Sequence, residues 1–450
     1  MGSNRYEIDM CNGPLFSKLV VFALPVVLSG VLQLLFNMVD IIVVGRFAGS
    51  AAMAAVGATA TLISVSTTLF IGVSMGANVI AARSFALGDK KSMHEIVHTA
   101  VLTGLLSGVL IFCLGMVFIS PVLKVMGTPA DIIDQSAIYM KLYFMGMPFF
   151  MVYNFGAAIL RAIGDTRRPL YYLIIAGVSN IGLNLFLVIV FHLGVIGVAL
   201  GTVLSQMISS ILVTITLCKS EGSYKLYLSK LHINGGMLLK TLQVGIPAGM
   251  QSMLICASNA LIQSSINSFG TLVIAGNTAS MNIMNCMFFA ANGITQTGLS
   301  FTSQNAGVGN YKRILKILGE CAALECLVEI PLGLLAYIFG ENILGIFTTD
   351  PRVIAYGMIN VSITTVPYFL CGIMDMVPGC IRGMRVSVPP MLISVTGVVG
   401  LRVLWIFFLF PKYHTLQMIY WSYPASWVIT SSAQLVCFFF VWNKKKETLT

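Results

Sequence analysis

Five ionisable residues fall inside long apolar stretches of this chain: Asp40, Glu325, Glu329, Asp375 and Arg402. A charge at the centre of a spanning helix costs about 2.5–3.5 kcal/mol, so each marks a candidate site. Asp40, in NMVDIIVVGRFAG, could hold a proton or Na+. Asn180 and Asn184 are four apart, hence on one helix face, and Thr202 follows in GVIGVALGTVLSQ. If their helices surround that of Asp40, the set offers hard oxygen ligands; alternatively, such amides and hydroxyls join helices to one another. Glu325 and Glu329 also share a face, where they can perturb each other or pair with a neighbouring helix.

His94-Glu95-Ile96-Val97-His98 matches HExxH, the zinc-hydrolase pattern of two metal ligands and a general base. An intramembrane zinc metalloprotease is therefore a remote alternative. Against it, the motif follows Lys90 and Lys91 at the start of a span, and no third ligand stands out downstream. The expectation is a solvated helix end, no zinc site and no enzyme.

These residues need lipid around them. Apolar residues make up 57% of the 450 and charged ones 9%, far below the quarter typical of soluble domains. Twelve stretches are long enough to span: roughly 15–44, 51–79, 95–119, 135–160, 169–191, 194–218, 241–267, 271–302, 314–339, 351–381, 389–410 and 416–442. The net charge of +10 does not indicate nucleic acid, because its position is one-sided. Twenty of the 26 Lys and Arg, from Arg5 to Lys446, fall on one set of alternate loops and five on the other. The positive-inside rule then places both termini in the cytoplasm of a multi-pass plasma-membrane protein. The ten cysteines lie in spans or near cytoplasmic ends, so no structural disulfide is expected. The start MGSNRYEIDMCNGP lacks a cleavable signal pattern.

The spans come in two copies. Phe22-Ala23-Leu24-Pro25 returns as Val244-Gly245-Ile246-Pro247, Asn37 as Asn259, Gly88 as Gly309, and Arg161 with Pro169 as Arg382 with Pro390. The offset holds between 219 and 222, and the register position of Asp40 is Ile262, so the acid breaks the symmetry. Two apolar repeats with an even number of spans predict lobes related by an axis along the membrane normal, as in secondary transporters. The expected division is an N-lobe over 1–218, a cytoplasmic linker over 219–240 and a C-lobe over 241–450. Outer turns VMGTPADIID and IFTTDPRVIA fall at matching points of the two halves. Pro25 and Pro247 lie inside the first span of each half and are potential hinges. Methionines and aromatics, among them Met145, Phe149, Met253, Met284, Met287 and Phe288, could line an adaptable substrate cleft or simply pack.

The segments NMVDIIVVGRFAG, SFALGDKKS, ILRAIGDTRRP, GVIGVALGTVLSQ, SQNAGVGNYKR and CIRGMRVSVPP together resemble the MATE (multidrug and toxic compound extrusion) transporters over the whole chain. The resemblance implies an all-α protein of twelve spans in two six-helix lobes. It implies antiport of amphipathic, often cationic, drugs against Na+ or H+, with no cofactor beyond the coupling ion. It places Asp40, Asn180 and Thr202 in a cation site of the first lobe and Pro25 at a bend. Asn184 stands where the family often has Asp. Asp375, Arg402, Glu325 and Glu329 are the second-lobe candidates. The expected partners are small amphipathic molecules and membrane lipid, the chain acting as a monomer; a flippase for lipid-linked oligosaccharide is the alternative within the same superfamily.

Overall fold

The computed structural model describes residues 6–126, 129 and 132–447. Arg5 and most of the turn GTPAD lie outside them. Among the described residues the regular structure is helical throughout. The first half runs α1 (Leu15–Phe47), α2 (Ser50–Ala86), α3 (Lys90–Val125), α4 (Ile133–Met145), α5 (Met147–Ala162), α6 (Arg167–Leu185) and α7 (Gly194–Lys219). The second runs α8 (Gly235–Asn267), α9 (Thr271–Gly307), α10 (Tyr311–Ile338), α11 (Gly340–Gly345), α12 (Pro351–Thr364), α13 (Tyr368–Gly383), α14 (Val388–Ser394), α15 (Leu401–Leu404) and α16 (Leu416–Glu447). Ten helical segments among the described residues are long and apolar enough to cross a membrane. Two bent pairs, α4–α5 at 45° and α12–α13 at 52°, bring the number to twelve. The fourth and tenth predicted spans are thus broken ones. Pro148 and Pro367 lie at these breaks, where a missing backbone donor ends the hydrogen-bond ladder at little cost.

The repeat is visible in the helix ends. Both α2 and α9, and both α5 and α13, start and end 221 residues apart. Gly49 and Gly270 precede α2 and α9 at φ 92° and 96°, a region closed to most side chains. Gly164 after α5 has φ 94°, and its mate Arg385 after α13 is held at φ 62°. The fold therefore demands the left-handed turn even where the sequence supplies no glycine. Asp89 and Asn310 cap α3 and α10, accepting from Ser92 N and Arg313 N at 3.0 and 3.2 Å.

The chain forms two compact units, and they divide within helices rather than at the linker. The first contains residues 1–8 and 31–249, the second 9–30 and 250–450. Helices α1 and α8 each contribute one half to either unit, and segment 219–240 belongs to the first. Sequence order alone expects both helices to stay with their own repeats. Glycines show what holds the first half of α8: a side chain on Gly72 would collide with the backbone of Gly249, and one on Gly76 with the backbone of Thr241. Each unit has its own apolar core. Val43, Tyr139, Met140, Phe144, Met147 and Val198 belong to the first, and Ile262, Met284, Met287, Tyr368 and Trp427 to the second.

Pro25 and Pro247 sit inside α1 and α8, each of which runs as one helix past its proline. The Ser29 hydroxyl donates to the Pro25 carbonyl at 2.8 Å.

Candidate functional site

Four sequence candidates meet in the first unit. Asp40 lies on the half of α1 that belongs there, Asn180 and Asn184 on α6, and Thr202 on α7. The Asn184 side-chain amide donates to Asp40 Oδ1 at 2.5 Å and to Asn180 Oδ1 at 3.3 Å. Asn180 in turn donates to Thr202 Oγ1 at 3.5 Å, and that hydroxyl donates to the Val198 carbonyl at 3.0 Å. The result is a chain of neutral groups ending on one carboxylate. None of the ion pairs among the described residues involves Asp40.

Small residues bring the helices together. Phe36, one turn before Asp40, fills the place a side chain on Gly177 would take, which seats α1 on α6. A side chain on Gly201 would collide with Asn184 Oδ1, and that oxygen is buried without a partner. Asn184 therefore presents its N–H, not its oxygen, to Asp40. In this arrangement it is a donor to the carboxylate. Tyr139 and Tyr143 of α4 lie within electrostatic range of Asp40 and complete the surroundings. Sequence reading missed them, although tyrosines four apart in a span put two hydroxyls on one face.

The second-unit candidates all lie within electrostatic range of Cys371, but no ion pair among the described residues joins them. Glu325 and Glu329 are both fully buried on α10. The Glu325 carboxylate fills the space beside Gly372 and has no hydrogen-bond partner among the described residues, while Glu329 faces the Ala291 backbone. Asp375 is half-buried on α13 and makes no ion pair within that set. Arg402 bonds Asn259 Oδ1 at 2.9 Å and Ser426 Oγ at 3.2 Å, and its guanidinium lies 4.3 Å from the Tyr423 ring centre. The apolar candidates divide as well. Met284 and Met287 are packed core, Phe149 and Met253 are half-buried, and Met145 and Phe288 are exposed.

The HExxH segment is neither metal-like nor a solvated helix end. His98 is fully buried. Its Nδ1 faces the His94 carbonyl at 2.8 Å, and its Nε2 accepts the Tyr227 N–H at 3.1 Å, so both ring nitrogens are engaged. Glu95 accepts from His232 Nε2 at 2.6 Å and from the Asn234 amide at 3.3 Å. The motif clasps the segment before α8, a role that helical periodicity does not report. His232 also donates Nδ1–H to the Lys230 carbonyl at 2.9 Å. With acceptors at both nitrogens, first that carbonyl and then Glu95, its pKa is raised. The contact should thus be fully formed below the ordinary imidazole pKa of about 6.5 and be lost as pH rises through the raised value. NMR titration of labelled histidines should find the His232 midpoint above the ordinary one, and Glu95→Gln should lower it; an unmoved midpoint would show that the clasp carries no charge.

The model of the MatE family matches the chain twice, over residues 25–186 and 247–408. The two matches begin on Pro25 and Pro247, the prolines of the repeat. The chain belongs to the MatE family. It is a polytopic membrane transporter of this family, not an enzyme, and the sequence resemblance is confirmed. Among MatE relatives, a probable multidrug resistance protein of Bacillus subtilis, YoeA, is 26% identical over 95% of this chain and 94% of its own. A probable multidrug resistance protein of Thermotoga maritima, NorM, is 26% identical over 89% and 87%. An outward-facing MATE family transporter of the MOP superfamily superposes with a TM-score of 0.88 at 18% identity, covering 99% of each chain. A MOP superfamily transporter from Pyrococcus furiosus, described as having a binding pocket of reverse polarity, gives 0.89 at 19% and the same coverage. At these identities the likeness establishes the fold: twelve membrane helices in two lobes.

Proposed function

We propose that this MatE protein exports amphipathic, cationic compounds from the cell in exchange for a proton carried by Asp40. The observation that carries the reading is the hydrogen-bonded chain Thr202–Asn180–Asn184–Asp40, which ends on a carboxylate that belongs to no ion pair among the described residues. A proton can enter on the second carboxylate oxygen and leave every one of these bonds in place. Na+ asks more: Asn184 and Asn180 would have to turn their oxygens inward, and the Gly201 contact would be lost. The export direction and the drug-like cargo are supported by relatives named multidrug resistance proteins and, at 20% identity, a multidrug export protein of Staphylococcus aureus, MepA. The lopsided Lys and Arg distribution supports insertion in the cell membrane with both termini inside. Nothing in the site calls for a second copy, and a monomer suffices.

One charge moving through ~100 mV supplies about 2.3 kcal/mol, enough to hold a neutral substrate at about a 50-fold gradient. For a monovalent cation exchanged one for one, the voltage terms cancel and the pH difference alone drives export. The test is efflux of a fluorescent cation from vesicles containing the purified protein, with H+ and Na+ gradients imposed separately. Efflux driven by the pH difference without Na+ is expected. Efflux that follows only Na+ would reassign the ion, and efflux under neither would remove the antiport reading.

A further inference from the structure

The second unit carries a buried charge where the first carries its cation site, and the sign is opposite. The register shows this once the π-helical turns are included. The copies are 222 residues apart at the prolines of α1 and α8, and 221 apart at α2 and α9 and at α5 and α13. A π-helical turn at Val395–Gly400 then precedes Arg402, whereas α6 stays α-helical through Leu185. A π-turn accommodates one extra residue, so the offset just beyond it becomes 222. Arg402 then aligns with Asn180 (402 − 180 = 222), Ile406 with Asn184, and Ile262 with Asp40. The acid has become an isoleucine and an amide has become a guanidinium.

Arg402 is 3% exposed. Its partners are the neutral oxygens of Asn259 and Ser426 and the face of Tyr423, which orient the guanidinium without neutralising it. Asp375 lies within electrostatic range but is not an ion-pair partner among the described residues. Asn259, which holds Nη1, is only half-buried. One fixed guanidinium, held by neutral groups and in no ion pair among the described residues, fits an anionic group, which Arg can bind through paired N–H donors.

We infer that Arg402, oriented by Asn259, Ser426 and Tyr423, binds the carboxylate of amphipathic substrates that carry both a cationic and an anionic group. The inference deepens the export reading and rests on it for the word substrate, but the site itself is tested by binding alone. Rhodamine B has a free carboxylate, and its ethyl ester is the same dye without one. Fluorescence polarisation with purified full-length protein should show the acid binding more tightly than the ester. Arg402→Met should weaken the acid about tenfold, the value of one charge-assisted contact, and leave the ester within about twofold. Arg402→Lys should fall between, because it keeps the charge and loses the fork. Equal affinity of wild-type protein for the two dyes overturns the proposal without any variant. So does an Arg402→Met effect that is the same for both dyes, which would mark a structural role. An effect that follows the phosphatidylglycerol content of vesicles rather than the dye's carboxyl assigns Arg402 to lipid and also overturns it. If wild-type vesicles export neither dye while the binding difference stands, the export reading fails and the site does not.

Discussion

Asp40→Asn is expected to collapse the gradient of a cationic substrate held by vesicles containing this protein, from about tenfold per unit of pH difference at one-for-one exchange to none. The substitution is conservative in shape. The Asn184 amide donates to Asp40 Oδ1 at 2.5 Å, and an asparagine side chain at position 40 offers an oxygen in the same place. No ion pair is broken, because Asp40 belongs to none of those among the described residues. What disappears is the ability to gain and lose a charge. The variant should therefore fold with wild-type thermal stability, bind substrate, and equilibrate it without concentrating it. Steady-state accumulation of a fluorescent cation under a pH gradient measures this directly. A variant that holds the wild-type gradient would remove Asp40 from the coupling step, and one that unfolds would show that the carboxylate is structural.

Much of this site was legible before any coordinates. Spacing put Asn180 and Asn184 on one face, the cost of a charge in lipid singled out Asp40, and the MATE resemblance joined them to Thr202. What spacing cannot give is which end of an amide points inward. The Asp40 carboxylate accepts and so draws the Asn184 N–H, while Asn184 Oδ1 lies in the space that Gly201 leaves open. The His94–His98 segment was misread as a solvated helix end because its partners, Tyr227 and His232, lie some 130 residues on, in a segment without periodicity. Arg402 was singled out, yet its mate was hidden. The π-turn that moves the register by one residue is a backbone feature, not a residue type. The twelve spans and the repeat survived because both rest on many residues, and one misplaced pair does not shift them.

The largest effect on stability is expected from Gly72→Leu. Gly72 and Gly76 on α2, and Gly245 and Gly249 on α8, are each four apart, the small-xxx-small pattern that lets two helix backbones touch in lipid. A side chain on Gly72 would collide with Gly249 N and Cα, and one on Gly245 would come within 2.9 Å of the Gly72 carbonyl oxygen. Overpacking that a flexible side chain can relieve costs about 1–3 kcal/mol. Here the obstacle is backbone on both sides, so the helices must separate and every contact along the crossing weakens together. Gly72→Leu should lower the melting temperature sharply and reduce the yield of monodisperse protein, with transport lost as a consequence. Gly319 on α10 is the control: nothing lies within 4 Å of its missing side chain. Gly319→Ala should leave stability unchanged or raise it by up to ~1 kcal/mol, through helix propensity alone. Equal melting temperatures for Gly72→Leu and wild-type protein in detergent would show that α2 and α8 do not meet backbone to backbone, and with that the assignment of the first half of α8 to the first unit would fall.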